Sequence, residues 1–106
     1  MLHNIGYILS ELRNRLQSLY GDRLANVILY GSQARGEATE DSDIDVMVIL
    51  KGDVSPSQEI ARTIDDVADI SLVNDVVLSC IFMPESRYER EQSPLLMNVR
   101  REGMAV

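Results

Sequence analysis

Apolar residues recur near the start of the chain at three- and four-residue steps: Ile5, Ile8, Leu9, Leu12, Leu16, Leu19 and Tyr20. That spacing predicts an amphipathic helix with Glu11, Arg13, Arg15 and Gln17 turned outward. Gly21-Asp22 ends it. The period then changes. Ala25–Tyr30 and Ile44–Leu50 (IDVMVIL) are short apolar runs rich in β-formers and read as buried strands. Gln33 to Ser42, polar and holding Gly36, reads as a loop with room for one helical turn. After a turn at Gly52 to Pro56, Ser57 to Ile70 predicts a second helix. Its apolar stripe is Ile60, Ile64, Val67 and Ala68, with Asp65, Asp66 and Asp69 in water, and Asn74-Asp75 breaks it.

Val76 to Met83 (VVLSCIFM) predicts a third strand, closed by Pro84. Ser93-Pro94 predicts a helix start, serine as cap and proline in the first turn. Leu95, Leu96 and Val99 then face inward until Gly103, and Met104-Ala105-Val106 adds a short strand or frays. Tyr7, Tyr20 and Tyr30 fall in apolar phase and are expected in or beside the core. Tyr88, among charged neighbours, is expected in solvent, as is His3. The order α-β-β-α-β-α over residues 1–106 predicts one mixed α/β (α+β) domain, a small mixed sheet with helices packed on it.

Charge narrows the functional classes. The net charge is −7, and the stretch from Glu37 to Asp75 holds eleven acids against Lys51 and Arg62. No basic face is evident, which disfavours direct nucleic-acid binding. An acidic centre suits a divalent metal, a basic partner or simple solvation. Cys80 is the sole cysteine; it is expected to be a small core residue, with neither a disulfide nor a cysteine zinc site. No apolar run approaches a membrane span, and no signal-peptide profile is present, so the chain is expected to be soluble and cytoplasmic.

The chemistry concentrates where the first two strands meet. Gly31-Ser32 follows one, and Asp43-Ile44-Asp45 opens the other. Residues two apart on a strand share a side, so Asp43 and Asp45 face the same way. Two carboxylates held like that repel unless a cation lies between them. Mg²⁺ or Mn²⁺ fits, because hard ions take carboxylate oxygens and leave positions for phosphate. Glycine admits a phosphate close to the backbone, serine and nearby amides can donate to it, and Arg35 adds a cation.

G-S-x₁₀-D-x-D between two strands resembles the signature of the DNA polymerase beta-type nucleotidyltransferase superfamily. The string YGSQARGEATEDSDIDVMV resembles its minimal nucleotidyltransferase (MNT) branch, small antitoxins paired with HEPN-domain ribonuclease toxins. The branch's common form is G-S-R-A-R-G followed by S-D-I-D. Gln33 replaces its first arginine, while Arg35, Gly36, Ser42, Asp43 and Asp45 are kept. The resemblance implies Ser32 as a triphosphate contact, Asp43 and Asp45 as catalytic metal ligands, and transfer of AMP from ATP to a tyrosine hydroxyl of the toxin. It also implies a third carboxylate on a neighbouring strand. VVLSCIFMPE offers Ser79 and Cys80 there. Asp75, at the start of this strand, is the best local substitute for that third carboxylate, but it stands about five residues early, about 16 Å along a strand. An alternative therefore stays open: a weak or inactive nucleotidyltransferase fold that neutralises its partner by binding. An antibiotic-modifying adenylyltransferase is disfavoured, since those carry a further helical domain.

Overall fold

A computed structural model describes residues 4–39 and 41–106; His3 and Glu40 lie outside the described residues. Asn4 opens α1 (Ile5–Tyr20), its side-chain oxygen accepting from the Tyr7 amide at 3.0 Å. One 3-10 turn (Gly21–Arg23) leads into β1 (Leu24–Tyr30). There follow α2 (Ser32–Arg35), β2 (Ile44–Leu50), α3 (Pro56–Asn74) and β3 (Leu78–Pro84). The chain continues with α4 (Glu85–Arg90), α5 (Pro94–Glu102) and β4 (Met104–Ala105).

The strands form one mixed sheet in the order β3-β2-β1-β4. β1 pairs antiparallel with β2 and with β4, while β2 and β3 are parallel. A parallel pair needs a crossover, and α3 supplies it. Alternation sorts β2 onto two faces. Ile44, Val46, Val48 and Leu50 pack with the buried residues of α1 and α3, while Met47 and Ile49 pack with Leu96 and Val99 of α5. A strand buried on both faces reads as an unbroken apolar run.

Several sequence expectations need correction. Tyr7 is 64% exposed and Leu19 41%, because the buried stripe of α1 narrows to Ile8, Leu9, Leu12, Leu16 and Tyr20. The third strand starts two residues later than expected and ends at Pro84. Leu95 is largely exposed, whereas Leu96 and Val99 are buried. α4 was unforeseen, since ESRYER has no apolar stripe. Its Tyr88 is half-buried against the α5-side core rather than in solvent.

The largest difference is the rotational phase of α3. Ile60 and Ile64 are 49% and 56% exposed and Ala68 is exposed, with Val67 half-buried; Glu59, Thr63 and Ile70 are buried instead. Polar residues take the inner face because they find partners there, and a satisfied polar group can be buried. The Tyr20 hydroxyl donates to Glu59 Oε1 at 2.8 Å, and Thr63 Oγ1 donates to the Glu59 carbonyl at 2.9 Å. Nor are Asp66 and Asp69 simply solvated. Arg15 spans from α1 to Glu11, Asp66 and Asp69 at 3.0, 3.2 and 2.6 Å. These polar ties roll α3 toward α1 and leave its isoleucines facing outward.

The Tyr20–Glu59 bond gives a direct test. Tyr20→Phe leaves a carboxylate that is 3% exposed without its hydroxyl donor. We expect a loss of about 1–3 kcal/mol, read in urea denaturation as a lower midpoint with unchanged slope.

Candidate functional site

The site is built by the β1/β2 register. Antiparallel pairing sets Tyr30 opposite Asp45, so the residue after β1 arrives at the carboxylate. That residue is Gly31, with φ 78° and ψ −155°, a conformation open to glycine almost alone. A Cβ built there would lie 2.5 Å from Asp45 Oδ2. The carboxylate thus rests over bare backbone, and the turn and the acids form one site.

Ser32 opens α2, and Gly36, in the left-handed region, closes it. The first amides of this turn have no carbonyl partner within it. Ser32 is half-buried and Arg35 exposed. Arg35 is already engaged, paired with Glu37 and, at 3.2 Å, with Glu102 at the end of α5. Glu102 was not among the expected residues, and 67 positions separate it from Arg35; no local pattern could have joined them. The loop returns through Thr39 and Ser42: the Thr39 amide donates to Ser42 Oγ at 2.9 Å, and the Ser42 amide to the Thr39 carbonyl at 3.1 Å. That closed turn delivers Asp43, exposed, to the start of β2.

Electrostatics bind the two acids together. Burial raises the pKa of Asp45 above the usual carboxylate range, the charge of Asp43 raises it further, and Arg35 opposes both. Tyr30, opposite, is pushed up to about 12 by burial and by the charge of Asp45. Cys80 is also pushed up to about 12, by burial, which keeps it a thiol rather than a nucleophile.

The neighbouring strand brings no acid alongside. Ser79 pairs with Asp45 across β2 and β3, so a hydroxyl stands level with the carboxylate. Asp75 closes α3 with φ 52° and ψ 50° and is exposed. Among the described residues no group of three or more His, Cys, Asp or Glu gathers as a metal site. Two carboxylates sharing unfavourable charge still suit Mg²⁺, which takes one or two carboxylates and fills its remaining positions with water and phosphate.

Residues 9–98 match the family profile of the nucleotidyltransferase domain. A provisionally named protein adenylyltransferase of Methanocaldococcus jannaschii is 37% identical over 94% of this chain, which spans 57% of that relative's length. A second one from the same organism is 35% identical over 78% of the chain and 77% of its own length. A crystal structure of a toxin–antitoxin with AMP-PNP superposes with a TM-score of 0.64 at 18% identity, covering 96% of this chain and 71% of that one; at that identity it speaks for the fold.

Two expectations follow. Gly31→Ala must displace the Asp45 carboxylate, and should abolish any stabilisation by Mg-ATP in a thermal-shift measurement. Because the folded-state pKa of Asp45 is raised, its contribution to stability is fully present below the unfolded carboxylate pKa. It is lost as pH rises through the folded value. Asp45→Asn should therefore raise the melting temperature of metal-free protein at neutral pH and remove the decline in stability that wild type shows as pH rises from the unfolded carboxylate pKa through the raised folded one.

Proposed function

The chain belongs to the nucleotidyltransferase domain family, and on that premise we propose that it transfers AMP from ATP to a protein hydroxyl and acts as the antitoxin of a toxin–antitoxin pair. The observation that carries the proposal is the contact of the Asp45 carboxylate with the Gly31 backbone. It joins a phosphate-accepting turn to a pair of acids that want a cation.

In this reading Asp43 and Asp45 hold Mg²⁺ or Mn²⁺, which supplies charge neutralisation for the triphosphate. Gly31 lets the triphosphate approach, Ser32 and the opening amides of α2 donate to its oxygens, and Arg35 exchanges a carboxylate partner for phosphate. The acceptor hydroxyl attacks the α-phosphorus in line, its new P–O bond replacing the α–β anhydride bond. Pyrophosphate leaves, and the hydroxyl proton is released to water. The work is positioning and electrostatic stabilisation.

The acceptor we favour is a tyrosine hydroxyl on a HEPN-domain ribonuclease toxin, modified in the cytoplasm. The names of the similar proteins support protein adenylylation and a toxin–antitoxin setting; the tyrosine and the HEPN domain come from the resemblance of YGSQARG and SDIDV to the MNT branch. The second reading, neutralisation by binding alone, draws on Ser79 standing beside Asp45 where an acid would strengthen metal binding.

Incubation with labelled ATP, Mg²⁺ and the product of the neighbouring gene, tested as the toxin, separates the two. We expect label on the toxin, reduced on the order of 100-fold or more in Asp43→Asn and in Asp45→Asn. A tight complex that silences the toxin without label would establish the binding reading in its place.

A further inference from the structure

Among the described residues nothing covers the outward stripe of α3. Ile60, Ile64 and Val67 form, with Leu78, Cys80 and Phe82 of β3, a groove of about 250 Å³ along the sheet's outer strand. β3 bonds to β2 on one side and ends the sheet on the other. Its seven residues, LSCIFMP, carry no charge. Monomeric proteins usually blunt such an edge with a charge, a bulge or a cover. Here α3 extends an apolar face beside the edge, at the place a further strand would occupy. The sequence pattern had marked Ile60, Ile64 and Val67 for burial, and the described residues leave the two isoleucines exposed and Val67 half-buried.

We propose that this groove docks the protein acceptor as an extended, alternately apolar segment flanked by lysine or arginine, which adds to β3 as a fifth strand. The inference rests on the transfer reading above only in naming the docked segment as the acceptor. Backbone groups of the β3 edge give it affinity, and alternate side chains fill the α3 groove, as in other strand additions. The other alternate side chains emerge on the opposite face, where Asp45 and Ser79 lie side by side. With strands about 4.8 Å apart, a residue added opposite Ser79 stands about 10 Å from Asp45. A tyrosine side chain spans much of that gap toward a nucleotide held at Asp45. The absence of an acid at Ser79 leaves that approach open.

Charge decides between a foreign segment and a second copy. Pairing two β3 edges about a two-fold axis would bring together two α3 helices, each bearing Asp65, Asp66 and Asp69 against the single cation Arg62, which pairs with Glu59 at 3.6 Å. Only Asp66 and Asp69 have an arginine partner here, while Asp65, beside Ile64, is exposed. Like charges at close quarters oppose association, and a basic segment reverses the sign.

The test pans the full chain against a random-peptide library and maps the binders by amide hydrogen exchange. We expect enrichment of alternately apolar peptides with Lys or Arg at their ends, and protection of Leu78–Met83. Ile64→Glu should weaken these peptides by about tenfold or more while keeping the thermal shift given by Mg-ATP. With labelled ATP, selected peptides that contain tyrosine should become labelled. The proposal is overturned by an absence of binders, by binders that leave β3 unprotected, or by sedimentation showing a dimer that Ile64→Glu dissolves. Peptides that dock on β3 while wild type fails to bind Mg-ATP would remove the transfer reading and leave the docking surface standing.

Discussion

The pairing of Tyr30 with Asp45 is the constraint from which the site follows. A shift of one residue in this register would turn Asp45 from the open face into the α1–α3 core. Held where it is, the carboxylate lies on Gly31, and the chain has to leave β1 through a conformation that side chains resist. The apolar residues of β2 secure this register from both faces, so the core and the site share a cause. Burying Ile44 and Val46 on one face and Met47 on the other fixes where the charge stands.

The cost of that placement is local. Asp45 is partly desolvated and faces Asp43, so the unliganded fold holds a carboxylate whose charge its surroundings disfavour. Strain of this kind persists where surrounding structure over-determines it. The same feature favours a cation. The ion would relieve a repulsion already present instead of having to organise its ligands.

Much of this was legible in the sequence because it is local. The bounds of β2 follow from an apolar run, the start of α5 from Ser93-Pro94, and the Gly31-Ser32 and Asp43-Ile44-Asp45 pieces from spacing alone. What escaped was relational. The phase of α3 depends on Tyr20 and Arg15, residues of another helix, which reward burial of Glu59 and capture Asp66 and Asp69. Periodicity finds an apolar stripe but does not know whether the chain contains a surface to cover it. α4 was invisible because a short helix with one half-buried aromatic has no period to detect. The partnership of Arg35 with Glu102 joins distant stretches, which no local motif encodes.

That last pair has a thermodynamic consequence. Arg35 ends the turn that follows the glycine, and Glu102 ends α5, just ahead of the β4 strand that completes the sheet. A triphosphate that draws Arg35 to itself releases Glu102, and by reciprocity whatever stabilises the Arg35–Glu102 pair weakens nucleotide affinity by the same factor. If the proposed triphosphate contact of Arg35 holds, occupancy of the turn and the tie of Arg35 to the end of α5 are two readings of a single equilibrium.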